Sequence, residues 1–118
     1  MKGMDRALRK QIKELQIGDY VRVAWWDAND ARGPLEKHNQ PECLVDEWGV
    51  FLGVEGKLKH ILLGKHYVRE DRAWEATRIP LMLLDSVELI AKRASRSMFP
   101  RRYRIASRRN VLVVRDLG

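Results

Sequence analysis

The spacing of hydrophobic and polar positions changes near Gly18. Before it, apolar residues recur every three or four positions, as on one face of an α-helix, at Met4, Leu8, Ile12 and Leu15. After it the spacing is two, because Val21, Val23 and Trp25 alternate with Tyr20, Arg22, Ala24 and Trp26. Such alternation places successive side chains on opposite faces of a β-strand. The pattern predicts an N-terminal helix over residues 4–15 and a first strand over residues 20–26.

Further short segments rich in β-branched, aromatic and aliphatic residues predict strands at residues 48–54, 58–64, 73–79 and 86–90. Glu55, Gly56 and Lys57 form a typical tight turn between the first two of these, and residues 80–84 suit one helical turn. Many short strands with brief connections, closed by a helical turn, are typical of a small barrel.

The segments between these strands divide the chain. Residues 27–43 contain Asp, Asn, Gly and Pro without periodicity and predict a long loop, and the charged residues 65–72 predict a second loop. The prediction is a mainly β protein in which a helix within residues 1–16 caps one open end of a five-stranded barrel spanning residues 17–91. Residues 92–118 follow as a C-terminal arm.

The charge of the chain is concentrated in that arm. Residues 1–91 contain 14 Lys and Arg against 15 Asp and Glu, a net charge of −1. Residues 92–118 contain nine Lys and Arg against one Asp, a net charge of +8, and eight of the nine are Arg. A solvated arm and an ordered extension both fit residues 92–109, while residues 110–115 predict one more strand.

The composition excludes several classes of protein. A single cysteine, Cys43, excludes an internal disulfide, and no apolar run approaches the ~20 residues that span a bilayer. The charged N-terminus does not resemble a signal peptide, so the expected location is the cytoplasm. His38, Cys43, His60 and His66 lack the spacing of a zinc site, and neither a metal nor a cofactor is predicted.

The order of predicted elements resembles that of the small SH3-like and Sm-like barrels. Residues 23–28 (VAWWDA), 48–52 (WGVFL) and 79–90 (IPLMLLDSVELI) are also similar to a loose group of small archaeal, bacterial and phage proteins without an established activity. The resemblance covers residues 17–91 and implies a barrel fold. A charged fraction of 33% with only three Gln and three Asn fits a thermophilic source. An Sm protein would carry an Asp and Asn pair at the hairpin loop, which this chain lacks.

The arm predicts non-catalytic binding of DNA or RNA. Arginine offers a planar fork for phosphate, and interleaved aromatic residues can stack on bases. The predicted binding residues are Arg96, Phe99, Arg101, Arg102, Tyr103, Arg104, Arg108 and Arg109 in the arm, with Trp26 on the outer face of the first strand. Trp25, Trp48 and Trp74 are expected in the core. Deleting residues 92–118 should abolish this binding and leave the barrel folded.

Two other functions stay open. A protein-interaction or homo-oligomerisation module would add residues 110–115 as a strand to a sheet edge, of this barrel or of a neighbour's. An enzyme would use carboxylates around the long loop: Asp27, Asp30, Glu36, Asp46 and Glu47. Because no nucleophile or phosphate-binding loop accompanies these carboxylates, we predict a protein that is not an enzyme and has neither a small-molecule substrate nor a membrane partner.

Overall fold

The structure, a computed structural model, describes residues 5–27, 43–93, 103–108 and 111–116. These residues form one helix, one 3-10 turn and seven strands: α1 (Arg6–Glu14), β1 (Tyr20–Asp27), β2 (Cys43–Glu55), β3 (His60–Val68), β4 (Ala73–Pro80), the 3-10 helix (Leu81–Leu83), β5 (Leu84–Ala91), β6 (Tyr103–Arg108) and β7 (Val111–Asp116). No described helix is long and apolar enough to cross a bilayer.

The strands form a single antiparallel sheet in the order β5-β1-β2-β3-β4-β7-β6. Only the three residues of the 3-10 helix join β4 to β5, although β1, β2 and β3 lie between them in the sheet. In a flat sheet these two strands would be about 19 Å apart, at ~4.8 Å per strand. The sheet must therefore curl until the ends of β4 and β5 come together.

Helix α1 packs on the sheet along the apolar face that its sequence predicts. Asp5 is the N-cap, and its side chain accepts a hydrogen bond of 2.7 Å from the backbone N–H of Leu8. Leu8 and Ile12 are buried, and Leu15 packs at the margin of the same cluster. The side chain of Gln11 reaches the backbone oxygen of Val87 at 3.5 Å, so the helix is attached to β5.

Two hydrophobic cores lie on opposite faces of the central strands. Neighbouring residues separate the cores: Phe51 and Ile61 belong to the first, Leu52 and Leu62 to the second. The first core has ten buried members, contributed by α1 and by β1 to β5: Leu8, Ile12, Val21, Val23, Phe51, Ile61, Leu63, Ile79, Leu84 and Val87. Since successive strand residues point to opposite faces, both faces of β2 and β3 are covered.

The second core depends on the C-terminal hairpin. Its buried members are Leu52, Leu62, Trp74, Leu112 and Val114, with Ile105 of β6 packed against them. The Trp74 ring lies directly over Gly64, where an added Cβ would stand 2.6 Å from Trp74 Cε3. Only a residue without a side chain leaves room for this tryptophan. Strands β6 and β7 are thus part of the hydrophobic packing of the fold.

The structure confirms a mainly β protein with one N-terminal helix, whereas the closed barrel of five strands is not confirmed. The sheet is open and has seven strands, because β7 adds to β4 and β6 adds to β7. Two predicted loops were too long: β2 begins at Cys43 and β3 continues to Val68. The turn after Glu55 is present, with Gly56 at a φ of 91° that favours glycine. The rest of the predicted loop, residues 28–42, lies outside the described residues.

Candidate nucleic-acid interface

Three of the predicted arm residues lie on β6. Tyr103 begins the strand and is paired with Asp116, Arg108 ends it and is paired with Val111, and Arg104 is exposed. The other predicted arm residues lie outside the described residues: Arg96, Phe99, Arg101, Arg102 and Arg109.

Two arginines face each other across the C-terminal hairpin. Arg104 of β6 is the direct cross-strand partner of Arg115 of β7, one position from the pair Ile105 and Val114. Because Ile105 and Val114 point into the second core, the two arginines share the opposite face of the hairpin. Within the described ranges, no carboxylate oxygen lies within 4.0 Å of either guanidinium. Like charges directly opposite each other are unfavourable in a sheet unless an anion neutralises them.

Trp26 lies far from this hairpin in the sheet. It is partly exposed near the end of β1 and pairs with Leu44 of β2. Strands β2, β3, β4 and β7 separate β1 from β6 in the sheet order. The order of the strands alone therefore does not place Trp26 next to Arg104, and five of the predicted arm residues lie outside the described part of the chain.

The prediction that Trp48 fills the core is wrong. Its side chain is 47% exposed, while Trp74 is buried and Trp25 packs against the first core. The reason is the register of β2: Trp48 pairs with Arg22, which lies on the outer face of β1. The sequence alone could not establish this, because β2 begins five residues before the segment predicted as a strand. Tyr20 and Leu44 are also exposed on this outer face.

At the centre of that outer face, two ion pairs of Arg22 link β1 to the strands on both sides of it. The guanidinium of Arg22 donates to Glu88 Oε1 on β5 at 2.9 Å and to Asp46 Oδ1 on β2 at 2.6 Å. The hydrogen bonds to Glu88 and then to Asp46 raise the pKa of Arg22 above its ordinary value. Arg22 is therefore already neutralised by described carboxylates, whereas Arg104 and Arg115 are not.

Two of the five carboxylates considered for catalysis form ion pairs with cations of neighbouring strands. Asp46 belongs to the Arg22 ion pair, and Glu47 accepts from Lys65 Nζ at 3.1 Å and from Trp25 Nε1 at 3.3 Å. Asp27 also has an interaction partner, so it is not a free carboxylate. Asp30 and Glu36 lie outside the described residues. In the part of the chain that the structure describes, no three His, Cys, Asp or Glu side chains group as metal ligands would.

A second cationic surface, which the sequence analysis missed, is a groove of about 830 Å³ between α1, the turn before β3, and the 3-10 helix. Apolar side chains line it: Ile12, Val54, Leu58, Pro80, Leu81 and Met82. Four cations also line it, from two separate elements: Arg9 and Lys13 of α1, and Lys57 and Lys59 of the turn. Because these cations belong to the near-neutral body, counting charge along the chain does not reveal them.

Comparisons of this chain with protein families, with curated proteins and with solved structures found no match.

Proposed function

We propose that this protein binds DNA or RNA without catalysis, through the arginines of its C-terminal region. The observation that carries the proposal is the cross-strand pair of Arg104 and Arg115. Neither is neutralised by a described carboxylate. Two guanidinium groups on adjacent strands, whose backbones are ~4.8 Å apart, can together contact a phosphate chain.

The packing of the hairpin supports this proposal. Ile105, Leu112 and Val114 fix one face of β6 and β7 against the second core, and on the other face Arg104 is exposed and Arg115 is half-buried. Side chains on a rigid strand lose less conformational entropy on binding than those on a free arm. The further cations of residues 92–118 would add phosphate contacts around this pair, and their contribution would be sensitive to salt.

Strand addition to a neighbouring chain is the weaker proposal for residues 110–115. Strand β7 already pairs with β4 on one side and β6 on the other, so both of its hydrogen-bonding edges are occupied within the chain. Among the described strands, β6 is the edge strand at this end of the sheet, and its sequence contains Arg104 and Arg108. Cations on an edge strand oppose pairing with a second copy.

The test is fluorescence anisotropy with a labelled 20-nucleotide single-stranded DNA of random sequence, and with the matching RNA, over a series of salt concentrations. Arg104→Ala combined with Arg115→Ala should weaken binding at least about a hundredfold at low salt, since charge-assisted hydrogen bonds contribute about 1.5–3 kcal/mol each and about 1.4 kcal/mol is tenfold in Kd. The slope of log Kd against log salt concentration should fall by about 1.4, since each phosphate neutralised on a single strand contributes about 0.7.

The matched control replaces Arg6 and Lys10, two exposed cations of α1 outside the groove, with alanine. This variant loses the same net charge and should bind as the wild type does. If both double variants lose affinity equally, net charge alone governs binding and the hairpin is not the interface. If the wild type binds neither nucleic acid at low salt, the proposal is wrong.

A further inference from the structure

We infer that the groove between α1 and the turn before β3 is a docking site for an acidic amphipathic helix of a partner protein. The groove is independent of the C-terminal arginines: its lining comes from α1, β2, β3, β4 and the residues that connect them. The inference therefore goes beyond nucleic-acid binding and does not depend on it.

The apolar lining of the groove is largely exposed to solvent. Leu58 is 78% exposed at the turn and Met82 is 66% exposed on the 3-10 helix, the two highest values among the exposed large hydrophobic residues of the described chain. Both line the same groove, whose inner part is formed by Ile12, Val54 and Leu81. Exposed apolar side chains grouped in one depression mark binding surfaces more often than isolated ones do.

Hydrogen bonds hold the walls in position. The backbone N–H of Leu81 donates to the carbonyl oxygen of Lys59 at 2.9 Å, which attaches the 3-10 helix to the turn. His60 Nδ1 contacts the carbonyl oxygen of Leu58 within the turn itself. Ile12 is buried in the first core, which fixes the wall formed by α1. A groove built on such fixed elements does not have to be ordered when its ligand binds.

The Arg and Lys residues that line the groove are its charged lining residues, and all four are cations. Arg9 and Lys13 lie one helical turn apart on α1, about 6 Å along its axis. Lys57 and Lys59 belong to the turn, and no carboxylate is among the described residues that line the groove. Apolar surface between two pairs of cations complements a ligand with an apolar stripe and acidic groups on both sides of it.

An amphipathic helix presents that pattern. Its apolar stripe recurs at i, i+3, i+4 and i+7, and residues on the two flanks of the stripe can reach both walls of a groove. A strand would direct its acidic residues away from the groove, on the face opposite to its apolar ones. A fatty acid carries one carboxylate at one end, so it can neutralise only one of the two cation pairs.

The test uses the full-length protein and a fluorescein-labelled 18-residue peptide with leucine on one helical stripe and glutamate on both flanks. A second peptide of identical composition has the leucines scrambled off the stripe. Anisotropy titrations should show at least tenfold tighter binding of the striped peptide. Leu58→Glu combined with Met82→Glu should weaken its binding at least tenfold, and far-UV circular dichroism should be unchanged because both residues are exposed.

Arg9→Glu and Lys10→Glu are matched variants for the charge. They are adjacent and exposed on α1, but only Arg9 lines the groove. Arg9→Glu should weaken binding of the striped peptide at least fivefold and Lys10→Glu less than twofold. Arg104→Ala combined with Arg115→Ala should leave peptide binding unchanged, which separates this site from the proposed nucleic-acid interface.

Three results would overturn the inference. The first is equal binding of the two peptides. The second is an equal effect of Arg9→Glu and Lys10→Glu on binding of the striped peptide. Either result would show that only diffuse electrostatic attraction operates. The third is binding of laurate without binding of either peptide. If Leu58→Glu combined with Met82→Glu abolished the binding of laurate, the groove would be assigned to a small apolar acid instead.

Discussion

The two hydrophobic cores use opposite faces of β2 and β3, but they are closed in different ways. The first core has ten buried members and is covered by α1 and by the curl that brings the ends of β4 and β5 together. The second has five and takes Leu112 and Val114 from β7, near the other end of the sheet. One core is therefore complete within residues 5–91, and the other needs the basic C-terminal region.

This difference gives the C-terminal region two roles. On one face of the hairpin Ile105, Leu112 and Val114 complete the second core, while the other face carries the exposed Arg104 and the half-buried Arg115. A deletion that removes the arginines also removes the cover of the second core. The expectation that residues 92–118 can be deleted from an intact barrel does not fit this packing, and single-residue substitutions are the cleaner test of binding.

Deleting residues 103–118 should have the largest effect on stability. It removes Ile105, Leu112 and Val114 and exposes Leu62 and Trp74. Burial of an aliphatic side chain contributes about 1.5–3 kcal/mol, so the loss should be at least about 5 kcal/mol. Urea unfolding followed by circular dichroism measures it. An unchanged unfolding midpoint would mean that the hairpin is not part of the cooperative fold.

Gly64→Ala should lower the free energy of unfolding by about 3 kcal/mol, since overpacking a core costs about 1–3 kcal/mol and the new Cβ meets a tightly packed ring. That Cβ would lie 2.6 Å from Trp74 and 3.1 Å from Leu52 Cδ1. Combining it with Trp74→Leu, which makes room, should give a smaller loss than the two single losses added together. Strict additivity in urea unfolding would show that the clash does not occur.

Asp19→Ala should lower the free energy of unfolding by about 2 kcal/mol. This loss should not depend on the second core. The buried carboxylate accepts from the backbone N–H of Gln16 at 2.9 Å and of Arg93 at 3.2 Å, so it joins the linker before β1 to the chain after β5. Each buried donor left without a partner costs about 1–3 kcal/mol, reduced here because both sites are only partly buried. Thermal unfolding should show the same loss with Val114→Ala present as without it. A loss that depends on Val114 would link Asp19 to the second core.

Arg22→Ala should have the smallest effect, because the ion pair with Glu88 and Asp46 lies on the exposed outer face. Its melting temperature should fall slightly below that of the wild type, and the difference should shrink in 0.5 M NaCl as salt screens the ion pair of the wild type. A larger difference at high salt would show that Arg22 acts through packing instead.

Much of the first core could be predicted from the sequence. The spacing of Leu8 and Ile12 identified the buried face of α1, and the alternation of Val21 and Val23 identified the inner face of β1. Local periodicity was sufficient there because each element has one apolar face directed to one core. The resemblance to SH3-like and Sm-like barrels stays a prediction.

The second core could not be predicted, because β2 and β3 are apolar on both faces. Runs such as Ile61, Leu62 and Leu63 carry no alternation, so nothing local shows that Leu62 faces away from its neighbours. The apolar positions of β7 predicted a strand at residues 110–115, but they did not show that Leu112 and Val114 pack with Leu62 and Trp74. The pairing of β4 with β7, which are distant in sequence, brings the second core together. The pairing of β2 with β1 likewise places Trp48 on the exposed outer face.

Long-range contacts also explain which features of the candidate site the sequence could not predict. The concentration of arginine after residue 91 predicts a cationic surface, and of these arginines Arg104 is exposed in the described chain. The partnership of Arg104 with Arg115 depends on the register of β6 and β7. The groove depends on the meeting of α1 with a turn more than forty residues away, a distance over which sequence periodicity carries no information.

The most direct test of the two-core account compares Ile61 and Leu62, adjacent and fully buried residues of β3 that belong to different cores. Each is replaced by alanine, alone and together with Val114→Ala, and urea unfolding gives the free energies of two double-mutant cycles. Leu62 and Val114 should couple by about 1 kcal/mol, whereas Ile61 and Val114 should be additive within about 0.5 kcal/mol. Equal coupling in both cycles would contradict the account, because the C-terminal hairpin would then support both faces of the sheet alike.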